Sequence, residues 1–138
     1  MKEQLRQLHK RDLNLLFEWR NHPTVRRNSF DTSEIYWKDH EKWFVDVLNN
    51  EKIISYILEV YSKPVGVIRF DFIAQEVAKI NYLIDPTQHG KGYGTKIVQL
   101  GVPIMFKNRL NLKKVFGLVL KENLASIKIF RKLCSLKL

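Results

Sequence analysis

Three glycines alternate with other residues in the segment DPTQHGKGYGTK, at positions 90, 92 and 94. An apolar run that ends at Ile84 precedes them, and a helix-forming segment follows from Thr95. Glycine leaves the backbone N–H groups of such a loop open to a ligand, and the start of a helix carries a partial positive charge. The segment therefore predicts an anion site, most naturally for a pyrophosphate group.

The same glycines could instead serve only a tight turn and close packing of the helix on a sheet. Two well-known phosphate loops do not fit the spacing. A Walker A loop requires a wider gap before a Gly-Lys-Ser/Thr string, and a dinucleotide-binding loop requires Gly-x-Gly-x-x-Gly. Neither pattern occurs in the chain.

The composition is that of one folded domain, with 138 residues of which 45% are hydrophobic and 28% charged. A formal charge of +10 favours anionic partners, among them nucleic acid, acidic membranes and phosphorylated small molecules. A nucleic-acid-binding module is the alternative class of function, although the basic residues are scattered and no nucleic-acid motif occurs. With a single cysteine, no leader and no membrane-length apolar run, we expect a cytoplasmic protein without metal, membrane or nucleic-acid partner.

Hydrophobic periodicity predicts the elements before the loop. We expect a first strand in EQLRQL and a helix capped by Asp12 that ends near RNHP. A second helix is expected over about residues 32–48, with Asp31 and Glu34 as its capping box. Three strands should then form an antiparallel meander, in KIISYILEV, KPVGVIRFDFI and VAKINYLI.

The elements after the loop alternate between helix and strand. A helix is expected over 95–108, a strand in KKVFGLVL and a last helix in ENLASIKIFRKL. A strand, a Gly-x-Gly-x-Gly loop and a helix after an antiparallel meander resemble the GNAT superfamily of acyl-CoA-dependent N-acetyltransferases, over nearly the whole chain. The resemblance implies a single domain over residues 1–138 of α/β (α+β) class, with a mixed, mainly antiparallel sheet flanked by helices.

The family's loop reads Gln/Arg-x-x-Gly-x-Gly/Ala, and HGKGYG occupies that window with His89 in place of the first Gln or Arg. The resemblance implies that this loop binds the pyrophosphate of acetyl-CoA while the fourth strand and the last helix hold the pantetheine arm. The implied cofactor-binding residues are Tyr82, Leu83, Ile84, His89, Gly90, Lys91, Gly92, Tyr93, Gly94, Thr95, Asn123, Ser126 and Phe130.

In many members the last helix carries Asn-x-x-Ala/Ser-x-x-x-Tyr, where the Asn binds the pantetheine arm and the Tyr protonates the departing thiolate. Asn123, Ser126 and Phe130 occupy those positions here, and Phe130 has no proton to donate. A bound water, Ser126, or direct release of a thiolate of free pKa ~8.5 are the alternatives. The catalytic residues are therefore unassigned; the candidates are Glu18, His22, Asp71 and Ser126, and each is equally suited to a structural role.

The segments EWRNHPTVRRNSF, WKDHEKWF and PVGVIRFD resemble the branch of GNAT enzymes that acetylates the 4-amino group of nucleotide-linked amino sugars. The diphosphate of a UDP-sugar suits the arginines, including Arg27. Ribosomal-protein N-terminal acetyltransferases share the RN helix end and the Trp-containing helix and are the main alternative; a non-catalytic CoA-binding relative is another. The expected acceptor-binding residues are Arg20, Asn21, Arg26, Trp37 and Arg69.

The family commonly continues after the last helix with Gly-Phe and two further strands. Here Cys134 and Ser135 stand where Gly and Phe are expected. We therefore expect a domain truncated at its C-terminus, whose fifth strand has an unpaired edge. A second copy could cover that edge in a homodimer or a strand-exchanged oligomer.

Overall fold

The computed structural model describes residues 2–118 and 123–133. Ten main elements follow one another in these residues. They are β1 (Glu3–Gln7), α1 (Leu13–Asn21), α2 (Pro23–Arg27), α3 (Trp37–Asn49), β2 (Ile53–Val60), β3 (Lys63–Ala74), β4 (Val77–Ile84), α4 (Tyr93–Asn108), β5 (Lys114–Phe116) and α5 (Leu124–Leu133). The predicted end of the fifth strand, and Cys134 and Ser135, lie outside the described residues.

The strands form one sheet in the order β1-β2-β3-β4-β5. The first three junctions are antiparallel and the last is parallel. The predicted fold class, a mixed and mainly antiparallel sheet flanked by helices, is confirmed.

Strand β5 pairs with only the first part of β4, from Val77 opposite Lys114 to Lys79 opposite Phe116. Beyond Lys79, the edge of β4 that faces β5 has no strand partner in the described part of the chain. Among the described residues, the β4–β5 pairing therefore ends before the last residues of β4. We call the side of β4 beyond this point the notch.

The two faces of the sheet pack against different helices because successive strand residues point to opposite sides. Ile68 and Phe70 of β3 are fully buried in a cluster with Ile97 of α4. Val67, directly before Ile68 in the chain, packs with Leu16 of α1 and with Phe44 of α3. Helix α4 thus covers one face and helices α1 and α3 cover the other.

One predicted helix start and two predicted side-chain caps are wrong. Helix α3 begins at Trp37, not near residue 32, because the carboxamide of Asn21 holds both backbone groups of Ile35, at 2.9 and 3.1 Å, in an extended segment. The carboxylate of Asp31 accepts from Ser33 in a local turn instead of forming the predicted capping box. Asp12 precedes α1 without capping it, because its carboxylate is bound by Arg6 and by the backbone N–H of His9.

Candidate functional site

The glycine loop has the open geometry that an anion site requires. Gly90 and Gly92 have φ of +82° and +80°, a left-handed conformation that glycine adopts without strain. Helix α4 begins directly after Gly92, and its first intrahelical bond joins the N–H of Lys96 to the carbonyl of Gly92. The N–H groups of residues 93–95 are therefore not used by the helix ladder. A Cβ at Gly90 or Gly92 would meet no atom within 4 Å, so the space above the loop is open.

His89 connects the glycine loop to the end of β4. Its Nε2 donates a hydrogen bond to the carbonyl oxygen of Ile84 at 2.9 Å, at the end of β4. Because the carbonyl can only accept, the neutral ring carries its hydrogen on Nε2 and offers only an acceptor at Nδ1. A neutral His89 therefore fixes the loop to the strand end, and only an imidazolium could donate to a phosphate.

A groove of about 500 Å³ runs from the glycine loop to the notch. It is bounded by the end of β4, by α5 and, on a third side, by α2 and the residues just after it. The predicted cofactor-binding residues in its lining are Tyr82, Leu83, Ile84, His89, Gly90, Gly92, Tyr93, Gly94, Thr95, Asn123 and Ser126. Lys91 does not line the groove, and its ammonium binds the side chain of Gln88. The side chain of Phe130 lies outside the described residues.

Sequence reasoning missed several residues of this groove. Lys128 on α5 contributes a cation, and Thr24, Asn28 and Ser29 contribute polar groups from α2 and its C-terminal end. The closeness of Lys128 in sequence to Asn123 and Ser126 was a usable signal. No local signal could have placed α2 beside α5, because their approach depends on the tertiary fold.

Tyr82 joins the notch to α5. Its hydroxyl lies 2.6 Å from the Oγ atom of Ser126, and Asn123 accepts a hydrogen bond from the backbone N–H of Ser126 at 3.2 Å. Burial raises the pKa of Tyr82, so the phenol is protonated and able to donate at neutral pH.

A second cavity opens on the α1 and α3 side of β4, and Tyr82 and Leu83 line both it and the groove. We call it the acceptor cavity, after the two predicted acceptor residues in its lining, Arg20 and Arg69. It has a volume of about 80 Å³, and its other polar lining residues are Arg20, Ser55, Arg69 and Asn81. The structure therefore brings the predicted acceptor residues Arg20 and Arg69 together, next to the notch.

Arg20 is held by aromatic and imidazole groups. Its guanidinium lies 3.8 Å from the centre of the Trp43 ring, within the range of a cation–π interaction, and 2.9 Å from Nδ1 of His40. The other ring nitrogen of His40 lies 2.8 Å from the carbonyl oxygen of Leu13. That carbonyl must accept, so the neutral His40 ring accepts from Arg20 at Nδ1.

Asp71 is bound to both of its polar neighbours. Its carboxylate accepts two hydrogen bonds from Arg69, at 2.8 and 3.1 Å, and one from Asn81 at 3.2 Å. Asp71 therefore orients Arg69. Because its oxygens already accept these hydrogen bonds, Asp71 is poorly suited to act as a general base.

The other predicted residues lie outside both cavities. Glu18 is exposed, and His22 caps α2 by accepting from the N–H of Thr24. The carboxamide of Asn21 is occupied by Ile35, and Trp37 packs edge-on against Phe17. Arg26 keeps its Nε buried without a hydrogen-bond partner among the described residues.

Two absences hold for the described residues. In 2–118 and 123–133, no cluster of His, Cys, Asp and Glu side chains is arranged to hold a metal ion. Within the same segments, no helix combines the length and apolar character needed to cross a membrane.

A family model described as an acetyltransferase (GNAT) domain matches residues 4–133. The chain is 26% identical over 131 residues to spermidine N(1)-acetyltransferase of Escherichia coli, covering 94% of this chain and 70% of that protein. It is also 26% identical over 132 residues to an uncharacterized protein of Methanocaldococcus jannaschii, of whose length it spans 27%.

Solved structures give the same fold. Spermidine N-acetyltransferase from Vibrio cholerae, in complex with CoA and spermine, superposes with a TM-score of 0.84 at 19% identity, over 95% of this chain and 79% of that chain. The aminoglycoside acetyltransferase AAC(6')-Ib in complex with coenzyme A has a TM-score of 0.78 at 26% identity, over 94% and 82%.

Proposed function

Because the chain belongs to the GNAT acetyltransferase family, we propose that it transfers the acetyl group of acetyl-CoA to the primary amine of a small acceptor. One observation carries the proposal: the groove and the acceptor cavity lie on opposite faces of β4 and share Tyr82 and Leu83 at the notch. A thioester held in the groove would meet at that point the amine of an acceptor bound at the cavity.

The residues of the groove fit acetyl-CoA. The free N–H groups at the start of α4 and the ammonium of Lys128 suit the pyrophosphate, and the open space above Gly90 and Gly92 lets it approach the backbone. The edge of β4 beyond its described pairing with β5 and the side chain of Asn123 suit the amide groups of the pantetheine arm. When bound, acetyl-CoA supplies an acetyl group activated as a thioester.

In the net reaction the amine nitrogen bonds to the acetyl carbon and loses one proton, while the carbon–sulfur bond breaks and the sulfur gains one proton. We assign to Tyr82 and Ser126 the hydrogen bond to the departing sulfur and the supply of its proton, in place of a tyrosine at position 130. The pair lies at the notch and is protonated at neutral pH. It recovers its proton from solvent, which receives the proton lost by the nitrogen.

The acceptor predicted from the sequence is the 4-amino group of a nucleotide-linked amino sugar, and we retain it as the specific proposal. The N-terminal amine of a ribosomal protein is the alternative. The named relatives act, by their names, on spermidine and aminoglycosides. A second alternative is a non-catalytic protein, in which the groove binds CoA but no acetyl group is transferred.

Calorimetric titration with acetyl-CoA tests the groove, and thiol release tests transfer. The assay should compare a UDP-linked 4-amino sugar, a peptide with a free N-terminus, spermidine and an aminoglycoside. We expect acetyl-CoA to bind and to raise the melting temperature, and thiol release to be fastest with the amino sugar. A protein that does not bind acetyl-CoA would refute the proposal, whereas binding without thiol release from any amine would favour the non-catalytic reading.

A further inference from the structure

The acceptor cavity holds a cation without a counter-ion. Arg69 is paired with Asp71, but Arg20 makes no ion pair with any described residue. With Arg20 and Arg69 positive and Asp71 negative, this group carries a net charge of +1 beside the notch.

Removing such a charge from water is costly unless something compensates it. Burial, and next the positive charge of Arg69, lower the pKa of Arg20 to about 10. The face of Trp43 and the Nδ1 atom of His40 hold the guanidinium in place, but neither supplies a negative charge. The cavity is therefore arranged to keep one cation in a fixed position with its charge uncompensated.

Ser55 gives a second, independent indication. Its Oγ atom is buried and has no hydrogen-bond partner among the described residues, although buried hydroxyl groups in proteins are nearly always bonded. Ser55 lines the same cavity as Arg20. A bound group with acceptor oxygens would use both the hydroxyl of Ser55 and the guanidinium of Arg20.

The size of the cavity restricts this group. About 80 Å³ is roughly half of the ~150 Å³ of an engineered cavity that binds benzene. A carboxylate or a phosphate would fit, whereas a complete sugar ring or nucleoside would have to remain outside.

We propose that the acceptor carries an anionic oxygen group, a carboxylate or a phosphate, that binds Arg20 and Ser55 in the acceptor cavity while its amine reaches the notch. The inference rests on the proposed acetyl transfer and specifies its acceptor. A polyamine acceptor is disfavoured, because its ammonium groups would be repelled by both Arg20 and Arg69. His40 and Trp43 act as positioning residues for Arg20.

Four short amines of similar length test the inference: γ-aminobutyrate, aminopropyl phosphate, aminobutanol and putrescine. The first two separate a carboxylate from a phosphate as the preferred group, and the last two are the neutral and cationic controls. In thiol-release assays we expect kcat/KM for the better anionic amine to exceed that for aminobutanol by about 10- to 100-fold, as for a charge-assisted hydrogen bond. Putrescine should be the poorest substrate.

The variant Arg20→Met should remove the preference, because it deletes the cation and keeps an apolar side chain against Trp43. Lys42→Met is the matched control, since it deletes an exposed cation on α3 and should leave the preference intact. Calorimetry with acetyl-CoA on each protein separates the possible failures. Absence of acetyl-CoA binding by the wild-type protein would refute the proposed function itself, whereas loss confined to a variant would show that the substitution had damaged the fold. Two outcomes would overturn this inference alone, provided that acetyl-CoA binds normally. In one, putrescine or aminobutanol is acetylated as well as the anionic amines are. In the other, neither anionic amine is bound or acetylated.

Discussion

The guanidinium of Arg20 donates a hydrogen bond to Nδ1 of His40 at 2.9 Å, and the His40 ring is completely buried. The two residues belong to different helices, α1 and α3, whose packing brings them together. Because the opposite ring nitrogen is committed to the carbonyl of Leu13, the ring has one tautomer available in its neutral form. This contact fixes the direction of Arg20 toward the acceptor cavity.

Replacing His40 should weaken binding of the acceptor and leave binding of acetyl-CoA unchanged. In His40→Leu the acceptor atom for Arg20 is lost, and we expect KM for the acceptor to rise by about 5- to 10-fold, as for the loss of one ordinary hydrogen bond. His40→Asn places an oxygen near the position of Nδ1 and should restore most of the affinity. Steady-state kinetics, with acetyl-CoA affinity measured by calorimetry, test this. Equal defects in the two folded variants would mean that His40 only fills space.

The same ring should make stability depend on pH. Burial lowers the pKa of His40 below its ordinary value of 6.5, an effect that the Arg20 charge reinforces and that the Leu13 carbonyl and Glu41 oppose. The folded state therefore binds fewer protons than the unfolded state at low pH. The contribution of His40 to the free energy of unfolding should be fully present above pH 6.5, and it should decrease as the pH falls below that value. Urea unfolding from pH 7.5 to 5 checks this, and a slope in His40→Asn as steep as in the wild type would contradict it.

Two substitutions at Gly92 should separate the effect of backbone strain on stability from the effect of an added side chain on acetyl-CoA binding. In Gly92→Val, a branched side chain would occupy a left-handed position at a cost of about 1–2 kcal/mol and would fill the open space above the loop. Asparagine tolerates this conformation, so Gly92→Asn should fold with nearly normal stability.

We expect both Gly92 variants to bind acetyl-CoA at least tenfold more weakly and only the valine variant to melt at a lower temperature. Calorimetry and thermal melting measure the two effects. Wild-type affinity in Gly92→Asn would mean that the glycines serve only the turn.

Tyr82 should contribute to the chemical step. Tyr82→Phe keeps the ring that packs near Gly94 but removes the hydroxyl that lies 2.6 Å from Ser126. With proton donation to the sulfur weakened, kcat should fall by roughly 10- to 100-fold while the affinity for acetyl-CoA stays near that of the wild type. Single-turnover thiol release gives the rate of the step directly. An unchanged rate would restrict the pair to a structural link between β4 and α5.

Local patterns predicted the elements around the loop well. Strands β2, β3 and β4 and helices α4 and α5 begin within two residues of the predicted positions, because alternating or helical hydrophobic periods also decide their burial. The start of α3 was missed because the bonds from Asn21 to Ile35 join residues fourteen positions apart, and no local pattern contains them.

The candidate site divides in the same way. The groove is built mostly from consecutive residues of β4 and the glycine loop, so a motif could predict it. The acceptor cavity combines Arg20, Ser55 and Arg69 from α1, β2 and β3, and the sequence indicated only the two arginines. The roles of His40 and Ser55 depend on a ring tautomer and on an unsatisfied hydroxyl, which only coordinates reveal.

The notch has a consequence for how the sheet responds to its substrate. Main-chain groups of β4 beyond Lys79 have no strand neighbour on the β5 side among the described residues. An extended amide-bearing arm that binds there would take the place of a strand and lengthen the ladder. Amide hydrogen exchange along residues 80–84 should therefore slow when acetyl-CoA binds, so that the co-substrate is for a time part of the secondary structure of the protein.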